Sequence, residues 1–185
     1  MGKNKLAYIL LADGFEETEA LTPSDMLKRG GIEVVLVSIG EEKERVSSHG
    51  VTVVADQTLA DGLSEDYDLL VLPGGMPGTT NLRNSERVCA EVLKAASQGK
   101  LIGAICAAPS VLGGLGLLKG RKATCYPGFE EYFEGATLTG EHLVEDGNFV
   151  MGIGAGVSFL FGLKLLERLT DGGVVDKVRK SIFLS

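Results

Sequence analysis

The sequence predicts a doubly wound α/β domain, in which a mostly parallel β-sheet carries helices on both faces. Short apolar runs bounded by Gly, Pro or Asp recur along the chain. Stretches with helical character lie between these runs, and this alternation is typical of βαβ units. No internal repeat, low-complexity tract or flexible linker marks a boundary in the sequence. We therefore expect residues 1–185 to form a single domain.

Four apolar runs are predicted to be strands of the sheet. They read KLAYILLADG, IEVVLVSIG, YDLLVLPGG and KLIGAICAAP, and they begin at residues 5, 32, 67 and 100. Three of them are dense in Leu and β-branched residues, as strands buried on both faces are. Segments 44–59 and 135–152 have the pattern of short strands or hairpins, the second with Asp146-Gly147 as a turn signal. Both segments are candidates for edge strands.

Two regions have clear helical patterns. In the first, Ser85 can cap an N-terminus, Val88 and Val92 begin an apolar stripe, and Gly99 can end the helix. In the second, residues 156–173 predict a strongly apolar helix, and a shorter amphipathic helix follows it. Such an apolar helix is expected to be buried or to lie at an oligomer interface.

The composition excludes several classes of protein. The 185 residues include 25 acidic and 18 basic side chains, giving a net charge of −7, and no Lys/Arg cluster is present. Binding to nucleic acid is therefore disfavoured. No apolar run reaches the length of a membrane span, and the N-terminal segment turns acidic where a signal peptide would need a cleavage site. We expect a soluble, cytoplasmic protein without membrane association.

The sequence offers no metal or cofactor motif. The three cysteines lack CxxC spacing and are expected to be free thiols, and the two histidines lie in segments of different character. The Gly-rich stretch 152–156 lacks the GxGxxG spacing of a dinucleotide site, and no GxSxG, HExxH or Walker A motif occurs. We therefore expect no metal and no cofactor, and hydrolysis by serine or zinc is disfavoured.

Cys106 is the strongest candidate for chemistry, because ligands bind beyond the carboxyl ends of the strands in this fold class. It follows the predicted strand LIGAI and precedes a helix whose first turn can accept Pro109. The helix dipole and free NH groups there favour a thiolate, so we expect a lowered pKa for Cys106. The alternative is that Cys106 is a small buried apolar residue.

Glycines and carboxylates follow two other predicted strands. Gly74 and Gly75 end the strand DLLVL and could form an oxyanion hole with the NH of Ala107, although a simple tight turn is the commoner explanation of such a pair. Glu19 lies in a predicted helix that kinks or restarts at Pro23, and this irregularity could aim a nearby carboxyl toward the strand ends. There, a carboxyl could donate a hydrogen bond to the thiolate or act as general acid and base.

Tyr126 follows a predicted short strand in the motif CYPG. Its phenol could orient a substrate or donate a proton near the same edge, although a packed Tyr with a satisfied hydroxyl is the commoner outcome. Cys125 and Cys89 are expected to be structural.

Four motifs together resemble the DJ-1/PfpI family, specifically its DJ-1/ThiJ branch, over essentially the whole chain. They are ADGFEETEA near the N-terminus, VLPGG at 71–75, AICAAP at 104–109 and CYPG at 125–128. The resemblance implies a flavodoxin-like fold, a homodimer and a reactive cysteine at a nucleophile elbow.

The resemblance also assigns roles to residues. It implies that Cys106 is the reactive cysteine, Glu19 the acid bonded to it, and Gly75 and Ala107 the backbone donors. It places Glu16 close to the site. Pocket residues expected around these are Gly74, Tyr126, Pro127 and His49.

One position departs from the family pattern. Many glyoxalase-active relatives carry a His where this chain has Tyr126, which is a poorer base at neutral pH. His49 lies near a family position often held by Arg, at the dimer side of the pocket, and could reach the site from a partner subunit. The departure weakens the glyoxalase hypothesis and moves the proton transfer to Glu19.

Two functions from different classes fit these residues. The first is a cofactor-independent, glyoxalase or deglycase type of enzyme in which Cys106 attacks a small reactive aldehyde or a glycated substrate. The second is a redox-sensing or stress-protective, chaperone-like protein whose Cys106 is oxidised to sulfinic acid without turnover. Amidotransfer is disfavoured because the chain lacks a His at the base position.

Overall fold

A computed structural model describes residues 5–184 of the chain. The strands are β1 Leu6–Leu11, β2 Glu33–Ser38, β3 Glu44–Val46, β4 Thr52–Val54, β5 Gln57–Thr58, β6 Leu69–Leu72, β7 Leu101–Ile105, β8 Lys122–Ala123, β9 Thr137–Leu138, β10 Leu143–Asp146 and β11 Phe149–Gly152. The α-helices are α1 Glu17–Arg29, α2 Gly78–Asn84, α3 Glu86–Ser97, α4 Pro109–Gly114, α5 Ser158–Leu169 and α6 Gly172–Ser181. Short 3-10 helices occupy Leu59–Asp61, Glu130–Tyr132 and Ala155–Val157.

The central sheet has seven strands in the order β10-β11-β7-β6-β1-β2-β5. Its neighbouring strands pair in parallel except for the antiparallel pair of β10 and β11. The flavodoxin-like α/β fold predicted above is therefore confirmed. Because β1, β6 and β7 are adjacent and parallel, the segments that follow them meet at one edge of the sheet.

Helices cover both faces of this sheet and enclose two apolar cores. On one face, α1, α5 and α6 contribute Met26, Phe161 and Val178, which pack with strand residues such as Ile9. On the other face, α2, α3 and α4 supply residues such as Val88 to a second core. Burying strands on both sides explains their nearly continuous apolar sequence. None of the helices within residues 5–184 combines the length and apolarity that spanning a bilayer requires.

The two hairpin segments differ in part from the expectation of edge strands. β5 and β10 are indeed edges, whereas β3 and β4 form a separate two-stranded sheet. β11 lies inside the central sheet, paired in parallel with β7, so placing it at the edge was wrong. Its residues Phe149–Gly152 are all buried, which gives the physical reason for an interior position. The Asp146-Gly147 turn is present between β10 and β11.

The helix boundaries largely follow their sequence signals. Ser85 caps α3 by accepting a hydrogen bond from the NH of Val88 at 3.3 Å. α1 runs through Pro23 without a break, so of the two alternatives, a kink or a restart at that residue, the restart was wrong. Pro23 is buried, and a Cβ added at Gly162 of α5 would lie 2.9 Å from the Pro23 Cα. Pro23 therefore lies at a close contact between α1 and α5.

Candidate functional site

Cys106 lies at a sharp turn between β7 and α4. Its φ of 63° is in the left-handed region, which costs a non-glycine residue roughly 1–2 kcal/mol. Two backbone hydrogen bonds hold it there: its NH donates to the Gly152 carbonyl and its carbonyl accepts from the Tyr126 NH, both at 2.8 Å. Pro109 begins α4, as its sequence position predicts. A strained residue held by β11 and by the segment at Tyr126 is the arrangement of a nucleophile elbow.

The carboxyl of Glu19 reaches the same point from α1. Its side chain is buried, with 1% of its surface exposed. One oxygen, Oε2, accepts a hydrogen bond of 2.9 Å from the Gly74 NH, and the carboxyl also interacts with the Cys106 thiol. A Cβ added at Gly74 would lie 2.5 Å from Oε2 and 2.7 Å from the Cys106 Cβ. Gly74 therefore has no room for a side chain.

Backbone NH groups surround the sulfur. The NH groups of Ala107 and Gly75 form hydrogen bonds that oppose the rise in the pKa of Cys106. Gly75 has a φ of 89°, a conformation that glycine adopts without strain. The expected donors thus lie beside the expected nucleophile, where they could also stabilise an oxyanion.

Glu19 is poised to exchange a proton near neutral pH. Burial raises the pKa of its carboxyl to about 7, and the charge of Glu16 contributes in the same direction. Hydrogen bonds from the Cys106 thiol and the Gly74 NH oppose the rise without cancelling it. A carboxyl with a pKa near the working pH suits a general acid and base.

The expected lowering of the Cys106 pKa was wrong. Burial raises the pKa of the thiol to about 12, and the charge of Glu19 and the hydrogen bond to it add to the rise. The NH groups of Ala107 and Gly75 offset only part of this effect. At neutral pH, Cys106 is therefore a neutral thiol, and the Glu19 carboxyl beside it is partly ionised. The ionised carboxyl is the form that can take a proton from Cys106.

A pH dependence of stability follows from the raised pKa of Glu19. The folded state keeps the Glu19 proton up to about pH 7, whereas the unfolded reference loses it at 4.5. Stability should therefore fall by about 3 kcal/mol as the pH rises through this window. Glu19→Gln has no proton to lose there. We expect chemical denaturation at pH 4.5, 6 and 7.5 to give a wild-type minus Glu19→Gln difference that declines with pH, and a constant difference would contradict the assignment.

The candidate Glu16 and its neighbour Glu17 both have structural partners. Glu16 caps α1, with Oε2 accepting a hydrogen bond of 2.7 Å from the Glu19 NH. Glu17 lies 3.1 Å from His49 Nδ1, and this contact raises the pKa of the exposed His49 ring. Potential ligand atoms of Glu16, Glu17 and His49 lie within 4.8 Å of one another, the one such group found among residues 5–184. Within one subunit, His49 therefore contacts the start of α1.

Tyr126 and Pro127 line a pocket of about 540 Å³, and the Tyr126 NH donates to the Cys106 carbonyl at the elbow. Tyr126 is 51% exposed and is not a packed core residue. The other lining residues are His142, Ile153, Gly154, Ala155, Gly156 and Val157. These residues were not predicted from the sequence. The Gly-rich stretch at 152–156 was a signal for them, but that stretch was considered only as a dinucleotide motif. Gly152, which holds the Cys106 NH, was missed for the same reason.

The other two cysteines lie outside this arrangement. Cys125 is buried, and burial raises its pKa to about 11. Cys89 is half-buried on α3 and donates a hydrogen bond of 3.2 Å from Sγ to the Arg83 carbonyl. Like Cys106, both are free thiols.

Gly75→Ala should damage the site more than an ordinary glycine substitution. A Cβ at residue 75 would lie 2.3 Å from the backbone N of Glu16. Gly62 is a matched control, because its φ of +82° is close to the +89° of Gly75 but nothing lies within 4 Å of its Cβ position. We expect Gly62→Ala to cost about 1 kcal/mol of unfolding free energy and Gly75→Ala about 2–4 kcal/mol. Equal losses in urea denaturation would argue against the clash.

Comparisons with known proteins decide the family. The model of the DJ-1/PfpI family matches residues 5–168. The chain belongs to the DJ-1/PfpI family. Among its family relatives is the protein DJ-1 homolog B of Arabidopsis thaliana, 39% identical over 89% of this chain. The chain spans only 38% of that relative's length.

Other family members resemble the chain over most of their own length. The deglycase PH1704 of Pyrococcus horikoshii is 36% identical over 76% of this chain and 85% of its own. A crystal structure of a cysteine-to-alanine mutant of a Salmonella typhimurium DJ-1 superfamily protein is 38% identical, with a TM-score of 0.94 over 98% of this chain and 99% of that one. Oxidised Toxoplasma gondii DJ-1 is 34% identical, with a TM-score of 0.91 over 98% and 99%.

Proposed function

We propose that this DJ-1/PfpI protein converts small 2-oxoaldehydes such as methylglyoxal into 2-hydroxy acids, without a cofactor. The observation that carries the proposal is the buried carboxyl of Glu19 against the Cys106 thiol, with a carboxyl pKa of about 7. The name of the Pyrococcus horikoshii relative, a deglycase, also favours a reactive carbonyl substrate. A glycated amine would enter the same route after releasing its aldehyde.

The first step is addition of the thiol to the aldehyde. Glu19 takes the proton from Cys106 as Sγ bonds to the aldehyde carbon, and the carbonyl electron pair moves to oxygen. The NH groups of Gly75 and Ala107 are positioned to stabilise that oxyanion. The oxygen then takes the proton back from Glu19, which gives a neutral hemithioacetal. General-base assistance makes a preformed thiolate unnecessary, so the raised pKa of Cys106 is compatible with attack.

The second step moves a hydrogen between the two substrate carbons. Glu19 removes the proton from the former aldehyde carbon, and the electrons form an enediolate. Glu19 then returns a proton to the neighbouring carbon. The hydroxyl on the sulfur-bearing carbon passes its proton to the oxygen of that neighbouring carbon, so a thioester carbonyl and a hydroxyl are formed together. Water hydrolyses the thioester, releasing the 2-hydroxy acid and restoring the Cys106 thiol.

The proposal is tested by following methylglyoxal by proton NMR with purified protein and no added cofactor. We expect lactate to form, and in D2O we expect deuterium at its C2 position because Glu19 exchanges its proton with solvent. Loss of methylglyoxal without lactate would mean that the protein is merely alkylated, and the proposed function would then be wrong.

A second function is favoured by the same backbone donors. Sulfinic acid oxygens on Cys106 could accept hydrogen bonds from the Gly75 and Ala107 NH groups, and the Toxoplasma gondii relative has been solved in an oxidised form. A reducing, cytoplasmic setting suits such a sensor, since its thiol must start unpaired. Mass spectrometry after mild peroxide should find two added oxygens on Cys106 and none on Cys89. Equal oxidation of the two would exclude this sensor function.

We also propose that residues 1–185 form one domain and that it acts as a homodimer. Three neighbouring elements, α1, the β3–β4 hairpin and α5, expose large apolar side chains. These are Leu21, Val46, Val51, Val54, Phe159 and Leu160. An exposed apolar face of this kind fits a second copy of the same chain.

Leu160→Glu should therefore shift the protein from dimer to monomer. A carboxylate buried at the interface would lack a partner, and the loss of dimer affinity should exceed tenfold. Leu93→Glu is the control, because Leu93 is similarly exposed but lies on α3. Sedimentation velocity at several concentrations makes the measurement. A dimer that withstands Leu160→Glu, or a wild-type monomer, would contradict the proposal.

A further inference from the structure

The backbone donor of Gly75 lies in a turn that has few side chains to hold it. The turn follows β6 and comprises residues 74–78, GGMPG, and we call it the donor turn. Three of its residues are glycines, and Met76 is 50% exposed. The Gly75 NH is one of the two backbone donors to Cys106. Its position must therefore be set by neighbouring parts of the chain.

The loop between β1 and α1, residues 12–16, packs directly against the donor turn. The Glu16 NH donates to the Gly74 carbonyl at 2.9 Å, and the Gly78 NH donates to the Gly14 carbonyl at 3.1 Å. A Cβ added at Gly78 would lie 2.7 Å from the carbonyl carbon of Gly14. The two segments therefore meet backbone against backbone, and a shift of either one would move the other.

Asn81 is the side chain that ties these two segments together. It lies in the middle of α2, and its Nδ2 donates a hydrogen bond of 2.8 Å to the Asp13 carbonyl in the β1–α1 loop. Its own NH donates to the Pro77 carbonyl at 2.9 Å, and the Thr79 NH donates to the Gly75 carbonyl at 2.8 Å. The start of α2 is thus bonded both to the donor turn and, through Asn81, to the loop that packs against that turn.

Asn81 has no hydrogen bond of its own to the reacting groups. Within residues 5–184 it bonds to neither Cys106 nor Glu19, and no other side chain of α2 donates to the β1–α1 loop. We infer that Asn81 is a positioning residue, which keeps the Gly75 NH directed at the Cys106 sulfur. Its effect on the thiolate does not depend on the proposed function, whereas its effect on turnover rests on that function.

The first test is the pH profile of Cys106 alkylation by iodoacetamide, with each cysteine followed separately by mass spectrometry. Asn81→Leu is close in size to the wild-type side chain and removes the donor, and Asn81→Ala removes the donor with a smaller side chain. A misplaced Gly75 NH would stabilise the thiolate less. We therefore expect both profiles to move to higher pH, and the rate at pH 8 to fall about threefold to tenfold.

The direction of this change separates positioning from a loss of structure. A merely loosened fold would expose Cys106 and speed its alkylation, together with that of the buried Cys125. Thr80→Val is the matched control, because Thr80 is the neighbouring, similarly half-buried residue of α2 and its hydroxyl donates to Met76 Sδ at 3.9 Å. It should keep the wild-type profile. Alkylation of Cys106 that is unchanged or faster in the Asn81 variants, or equally slowed in Thr80→Val, would overturn the inference.

Turnover of methylglyoxal separates this inference from the proposed function. Because the oxyanion forms only after the substrate binds, Asn81→Leu should lower kcat about tenfold and leave KM within about twofold of wild type. A shifted alkylation profile in a protein that does not consume methylglyoxal would support the role of Asn81 and refute the proposed enzyme. Full turnover together with an unshifted profile in Asn81→Leu would refute that role and leave the proposed enzyme standing.

Discussion

Cys106→Ser is expected to lower kcat/KM for methylglyoxal by about 10³-fold or more. A serine hydroxyl is a much weaker acid than a thiol, and Glu19, with a pKa of about 7, is too weak a base to activate it. The backbone should be unaffected, because Ser meets the same strain at a φ of 63° and keeps both hydrogen bonds that hold residue 106. Lactate formation followed by NMR makes the measurement.

Cys89→Ser is the matched control for this experiment. Cys89 Sγ donates a hydrogen bond to the Arg83 carbonyl, and a serine hydroxyl can do the same. We expect its turnover to remain within about twofold of wild type, consistent with a partly buried site away from the chemistry. Turnover that persists in Cys106→Ser would exclude covalent catalysis by this residue, and an equal loss in both variants would indicate a general effect of removing a thiol.

The strand ends were predictable because buried parallel strands have a distinctive sequence. The runs that became β1, β6 and β7 are apolar almost throughout, and each stops at Gly, Pro or Asp. If these three strands are adjacent and parallel, Gly75 and Cys106 must lie at the same edge of the sheet. The position of Glu19 needed the family resemblance, since the sequence indicates only that a carboxyl lies near a helix irregularity.

Other features depend on contacts that the sequence does not encode locally. The position of β11 inside the sheet follows from its pairing with β7, which is distant along the chain. The predicted direction of the Cys106 pKa shift was wrong. The prediction considered only the dipole of the helix that follows Cys106, whereas the burial of the thiol and the charge of Glu19 are contributed by other parts of the chain. The pocket beside Tyr126 likewise depends on residues 153–157 lying near Tyr126 and Pro127, which are distant along the chain.

These differences change the account of reactivity. A lowered thiol pKa would make Cys106 a nucleophile on its own, so that Glu19 could be dispensable for attack. A raised thiol pKa beside a carboxyl of pKa about 7 makes the pair the reactive unit. Above about pH 7 the pair holds one proton, which rests on Cys106. The proposed chemistry depends on moving that proton to Glu19 as the substrate is attacked.

Glu19→Gln should accordingly move two measurements in opposite directions. The Gly74 NH requires an acceptor, so the Gln oxygen should take the place of Oε2 and leave the amide NH2 toward Cys106. The Glu19 charge that raises the pKa of Cys106 is then absent. In its place, the amide NH2 of the glutamine can donate a hydrogen bond to the thiolate. We expect faster alkylation of Cys106 by iodoacetamide at pH 8, about tenfold for each unit by which the pKa falls.

Turnover should fall in the same variant, because an amide cannot carry a proton between the two substrate carbons. We expect kcat to drop by about 10²–10⁴-fold, the usual loss when a general acid and base is removed, and deuterium incorporation at C2 to fall with it. Glu17→Gln is the control, since Glu17 lies on the same helix but contacts His49. Slower alkylation in Glu19→Gln would mean that Glu19 promotes thiolate formation, and undiminished turnover would remove it from the proton transfer. Faster alkylation together with lost turnover is the result that only a proton-carrying Glu19 explains.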